Sequence, residues 1–164
     1  MIFELRPPRG AGPLRVGAAG HDTVEILKQL GVPQVLCRTS GSGPAWGVHR
    51  QSGLFICTYF DADDCLEAIE FGRPDSKDDA VTYDGHDVFT TPAADIVAQL
   101  RQVTTVHEEE NGHAFTAPCL LLSLWRPVTP DSPDDQEGRF FESVLVARPG
   151  YCNHPVEPDP PTRE

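Results

Sequence analysis

Val24-Glu25-Ile26-Leu27-Lys28-Gln29-Leu30 and Asp95-Ile96-Val97-Ala98-Gln99-Leu100 are the two stretches on which the reading of the fold turns. In both, apolar residues recur three and four apart, the spacing that lines one face of an α-helix. Ile26 matches Ile96 and Leu30 matches Leu100, each at an offset of 70 residues. Two strand-like stretches, Leu66-Glu67-Ala68-Ile69-Glu70-Phe71 and Phe141-Glu142-Ser143-Val144-Leu145-Val146, repeat at an offset of 75. Each helix follows a Gly-containing extended segment and precedes a polar gap and two apolar strands. Self-similarity of this kind sets the expected fold before anything else does. It predicts an α+β domain of two tandem α/β repeats, about 12–72 and 81–151, with the helices packed on one antiparallel sheet. Residues 1–153 make a single domain on this reading, and 154–164 read as a disordered Pro-rich tail.

Working outward from the helices, Asp22 or Thr23 is the expected N-cap of the first, because their side-chain oxygens accept orphan backbone donors. Gly31 and Pro33 stop it. Thr91-Pro92 reads as an N-cap followed by Pro at the first helical position of the second helix, about 93–102. Residues 53–60 read as a strand, with Asp61-Ala62-Asp63-Asp64 turning into its partner at 65–71. Strict alternation on that partner puts Leu66, Ala68 and Glu70 on one face and Glu67, Ile69 and Phe71 on the other, so a bulge is needed to bring Glu67 and Glu70 together. Glu108-Glu109-Glu110-Asn111-Gly112 reads as a hairpin turn. The run Cys119-Leu120-Leu121-Leu122-Ser123-Leu124-Trp125 reads as one central strand, since unbroken apolar character suggests that both faces are covered.

The lead-in Gly12-Pro13-Leu14-Arg15-Val16-Gly17 and the helix ending at Leu30-Gly31 resemble the tandem-repeat fold of the beta-lactamase inhibitory protein. One repeat alone resembles the small lipoprotein domains of the outer-membrane assembly machinery. The likeness covers about 60 residues of the first repeat. The chain departs from those families in its start, Met1-Ile2-Phe3-Glu4-Leu5-Arg6-Pro7-Pro8, which is too short and polar for a signal peptide and has no lipidated Cys. Its Arg/Ala/Pro/Asp-rich composition and hairpin pattern also resemble small actinobacterial cytoplasmic proteins of the immunity kind. These resemblances imply a sheet whose concave face or edge loops bind another protein.

The charge pattern bears on the partner. The net charge of −12 divides into +3 over residues 1–60 and −15 over the remainder. Nucleic acid is excluded as a partner because such binding rests on cationic side chains that displace counterions. No apolar run nears the roughly 20 residues of a membrane span. Five cysteines without regular spacing suit a reducing cytoplasm, with Cys57 and Cys119 expected as small buried hydrophobes. An acidic second half suits a basic protein partner.

Candidate binding residues follow. Asp61, Asp63 and Asp64 form one acidic turn, and Glu108, Glu109 and Glu110 a second. Trp46, in a Gly/Ser loop, and Tyr59 are the candidate interface aromatics, a class enriched at hot spots. Trp125, at the end of a buried strand, is expected in the core. Nucleophilic catalysis needs a nucleophile beside a base, and none of the six histidines lies in such a motif. Ser40-Gly41-Ser42-Gly43 lacks the Lys and helix of a phosphate loop. His107 and His113 flank the Glu108–Glu110 turn and could face each other across a hairpin, and Cys152 and His154 are near neighbours, but no paired C-x-x-C is present, so no metal and no cofactor is expected. The leading expectation is a non-catalytic immunity or inhibitor protein that neutralises a basic partner through acidic loops. Two alternatives remain open. One is a small enzyme or accessory protein of a biosynthetic cluster, using His49, His86 or His107 in a cleft with carboxylates. The other is a small-molecule binding protein lined by Phe55, Tyr59 and Trp125.

Overall fold

The computed structural model describes residues 1–36 and 43–151. Its elements in chain order are β1 (Ile2–Arg6), β2 (Gly10–Ala11), β3 (Leu14–Arg15), α1 (Gly20–Leu30), β4 (Gln34–Leu36), β5 (Ala45–His49), β6 (Phe55–Phe60), β7 (Leu66–Gly72), β8 (Ala80–Tyr83), β9 (His86–Asp87), α2 (Ala93–Val103), β10 (His107–Glu109), β11 (Ala114–Ala117), β12 (Leu122–Trp125) and β13 (Ser143–Ala147). A short 3-10 turn, Glu110–Gly112, joins β10 to β11.

The expected α+β fold of two α/β repeats, with helices packed on one antiparallel sheet, is therefore incorrect. Among the described residues there are thirteen strands in two sheets and only two α-helices. The missed strands are mostly two to five residues long and lie where Gly and Pro suggest loop; a two-residue strand has no period to detect. The larger sheet has the order β10-β11-β12-β13-β7-β6-β5-β4, antiparallel throughout. The smaller has the order β3-β2-β1-β8-β9, with β1 and β8 parallel. The two segments matched at an offset of 75 contain β7 and β13, which are hydrogen-bonded neighbours at the centre of the larger sheet, Ile69 opposite Val146 and Phe71 opposite Val144.

Both helices form where their apolar spacing predicts. On α1 the buried stripe is Gly20, Thr23, Leu27 and Leu30, and on α2 it is Ala93, Ile96, Val97 and Leu100. The caps differ from expectation. Ala19 and Pro92 occupy the N-cap positions, without side-chain capping bonds, while Thr23 lies inside α1 and its hydroxyl donates to the Ala19 carbonyl at 3.1 Å.

One apolar cluster joins the layers. Phe3, Leu5, Ala11 and Leu14 of the small sheet and the helix stripes meet Ile56, Phe60, Leu66, Ile69, Phe71, Val144 and Val146 of the large one. Strand β2 lies against β7 and β13, and the Phe3 and Phe71 rings are 5.4 Å apart. Strand β7 carries a bulge: Tyr59 is opposite Ala68 and Phe60 opposite Leu66, so Glu67 is the extra residue. The bulge overturns the strict alternation expected there. It turns Leu66 to the core beside Ile69 and Phe71, and leaves Glu67 and Glu70 free to share the other side.

The run 119–125 is not a single strand. Leu120 and Leu121 donate to the Ala117 and Pro118 carbonyls in a turn, Leu121 has φ of 53°, and only 122–125 is extended. Cys119 is consequently exposed, whereas Cys57 is buried as expected.

Candidate functional site

Four buried apolar residues stand outside the core cluster: Ala45, Cys57, Ala68 and Ala147. All four fall on the side of the large sheet that faces away from the helices and the small sheet, as the pairing register requires. Ala45 is opposite Tyr59, Tyr59 opposite Ala68, and Ala68 opposite Ala147. Residues directly opposite in a ladder share a face. No helix or strand among the described residues packs on this far face, and Tyr151, after β13, reaches it at Tyr59.

Its rows can be read across the sheet. One runs His49, Phe55, Gly72, Ser143, Trp125, Ala114, Glu109, and the next runs Gly47, Cys57, Glu70, Leu145, Ser123, Thr116, His107. Phe55 and Trp125 thus flank a floor of Gly72 and Ser143. Three strand spacings separate them, about 14 Å. Trp125 is 41% exposed, and the His49 ring stacks on Phe55 at 4.5 Å. The Tyr59 hydroxyl donates to Glu70 at 2.7 Å, and its ring meets Tyr151 at 6.5 Å. Burial first, then hydrogen bonding with Cys57 and Glu70, pushes the Tyr59 phenol well above its ordinary pKa. It stays protonated and holds the Glu70 carboxylate in place.

The residues expected to bind do not converge. Trp46 lies on β5 opposite Thr58 and packs against the core cluster, while Trp125, expected in the core, faces out. Alternation explains the exchange: Leu122 and Leu124 point inward, so Ser123 and Trp125 cannot. The rest of the loop expected to present Trp46, residues 37–42, lies outside the described residues, as do Cys152, His154 and the tail.

Asp61 is buried and fully engaged. One carboxylate oxygen accepts the Asp63 and Cys65 N–H groups, each at 2.9 Å, and the other meets Arg148, which also approaches Glu67. The Cys65 N–H foremost, helped by Asp63 and Arg148 against the cost of burial, holds its carboxyl below the usual range. Asp61 shapes the turn, and Asp63 and Asp64 remain exposed on it. Asp64 places its carboxylate against Gly20 at the start of α1, where a helix N-terminus favours negative charge. Glu108, Glu109 and Glu110 are exposed at the edge strand β10, near the opposite end of the sheet from the Asp61 turn. Tyr59 and the Asp61 turn are neighbours; the three glutamates are not.

The histidines do not gather into an acid–base pair. His49 lines a cleft of about 580 Å3 with Leu30, Arg50, Ser52 and Asp79. Asp79 is committed there: it accepts from Arg50 at 2.8 Å and from the Ser52 hydroxyl, and pairs with the Met1 amino group at 3.1 Å. Arg50 also donates to the Leu30 carbonyl at the end of α1. His86 shares an open depression of about 380 Å3 with Asp84 and Asp95, but Asp84 accepts from Gln99 at 3.1 Å, and the His86 ring makes no hydrogen bond among the described residues. His107 is opposite Thr116 while His113 turns to the Arg126 carbonyl at 3.1 Å, so the two do not face each other. No group of three metal-ligating side chains occurs among the described residues, and no helix there is long and apolar enough to cross a membrane.

Comparison of the chain with family models, curated proteins and solved structures returns no match.

Proposed function

We propose that this protein is a non-catalytic binding module of the inhibitor or immunity kind, and that it engages a basic partner protein across the far face of its large sheet. The observation that carries this reading is the row Phe55, Gly72, Ser143, Trp125: two aromatic walls over a floor with almost no side chains, on a sheet face without a second layer among the described elements. Buried aromatic anchors in desolvated pockets supply most interface energy. A small-residue floor lets a partner's backbone or a long side chain approach closely. Glu70 and Glu109 place carboxylates on this face, which suits a cationic partner.

The catalytic alternative loses ground because Asp79, which shares the cleft with His49, is taken by Arg50 and Ser52. The small-molecule alternative draws support from the same aromatic walls, but about 14 Å between them exceeds what one flat ring spans.

The test is affinity capture from an extract of the source organism, with wild type and Trp125→Asp run in parallel. The expected outcome is one basic protein retained by wild type, released by raised salt and lost with Trp125→Asp. Retention of no specific protein, or of one indifferent to the substitution, would sink the reading.

A further inference from the structure

The outer surface of the small sheet carries a feature at odds with an acidic protein. Arg6 is opposite Gly10 in the β1–β2 pair, and Gly10 is opposite Arg15 in the β2–β3 pair. The three residues therefore stand in one row on one face, with the two arginines flanking a residue that has no side chain. Gly10 has φ of 140°, and a Cβ there would lie 2.1 Å from the Leu14 carbonyl oxygen, so the gap cannot be filled by substitution without distortion. Arg9 enters from the turn between β1 and β2, where its N–H bonds Arg6 and its carbonyl receives the Val16 N–H. A groove of about 280 Å3 results, lined by Arg6, Arg9, Leu14 and Arg15.

These guanidinium groups are largely uncommitted. Arg6 donates to the Gly12 carbonyl, while Arg9 and Arg15 make no side-chain hydrogen bond or ion pair among the described residues. Glu4, two residues before Arg6 on β1, pairs with none of the three among the described residues. Holding three like charges around one groove costs free energy that an anion would recover. Two strand spacings, about 10 Å, separate the Arg6 and Arg15 backbones, which leaves room for one tetrahedral anion between two guanidinium forks.

We infer that the Arg6–Arg9–Arg15 groove is a phosphate-binding site, taking a phosphoryl group either free or as an ester. Planar forks matched to phosphate oxygens make Arg the suited residue, and charge-assisted bonds of this type are the strong ones. The site lies on the outer face of the small sheet and does not depend on the protein-binding reading above.

Isothermal titration of the full chain at low salt, with inorganic phosphate, pyrophosphate and glycerol 3-phosphate as separate probes, tests it. Binding of the inorganic probes would assign a free phosphate. Stronger binding of the ester would assign an esterified one. The double variant Arg9→Ala/Arg15→Ala, whose side chains make no hydrogen bond or ion pair among the described residues, should weaken the bound probe about tenfold or more. Arg101→Ala, which removes the same kind of charge from exposed α2, should leave affinity unchanged. Failure of all three probes to bind overturns the inference. So does an Arg9→Ala/Arg15→Ala variant that binds as wild type, or an equal loss in Arg101→Ala, which would mean diffuse charge attraction only.

Discussion

Asp79 shows how one buried carboxylate can tie distant segments together. It is 3% exposed and bonds Arg50 and Ser52 from the turn after β5, while Arg50 closes the end of α1 and lies over the Phe3 ring. Burial alone would raise its pKa. The hydrogen bonds from Arg50, Ser52 and the Met1 amino group, with the Arg50 charge, outweigh that and hold the carboxyl at about 2. A folded-state pKa below the unfolded value means that the stabilisation is present above the unfolded pKa, near 4, and is lost as the pH falls towards 2. The depression corresponds to about 2 kcal/mol at neutral pH. Asp79→Asn keeps an acceptor but removes the charge. Urea unfolding should show a loss of about 2 kcal/mol at pH 7 that shrinks steadily between about pH 4 and pH 2. A constant difference across that window would show that the charge is not the source.

At the element scale, β7 is the strand on which both layers depend. Phe71 lies opposite Val144 of β13 and Ile56 of β6, and meets Phe3 of the small sheet. Phe71→Ala should cost about 4 kcal/mol of unfolding free energy, whereas Phe55→Ala, on the far face of the neighbouring strand, should cost much less. Near-equal losses in denaturant titrations would place the core on the wrong side of the sheet. The same strand shows what could and could not be read beforehand. The helix stripes were legible because Leu27, Leu30, Ile96 and Leu100 keep their period over several turns. Strands β6 and β7 and the Glu108–Gly112 hairpin were legible from apolar runs broken by acidic turns. The bulge at Glu67 was not, since it inverts alternation without a compositional mark, and it decides which residues face the core. Nor were β2 and β3, whose pairing comes from long-range register rather than local pattern. The site suffered most: Trp46 and Trp125 exchange roles because each is assigned by which face of a strand it occupies, and an unbroken apolar run such as 119–125 hides that parity.

For the whole molecule, charge and the far face act against each other. With a net charge of −12 at pH 7, copies should repel one another despite the exposed Trp125 on the far face. Near the isoelectric point of about 4.8 that repulsion vanishes, and the exposed Trp125 is the expected contact between copies. Light scattering at low salt should therefore rise as the pH is lowered from 7 to about 5. Trp125→Ser changes no charge and leaves the isoelectric point where it was. Because the side chain is exposed, its effect on folding stability should stay within about 0.5 kcal/mol. It should nonetheless reduce the self-association seen near the isoelectric point, because it removes the anchor rather than the charge balance. Glu25→Gln on exposed α1, which does move the charge balance slightly, should leave the association at the isoelectric point intact. A Trp125→Ser protein that associates as wild type would show that the far face is not the sticky surface, and would weaken its standing as the surface presented to a partner.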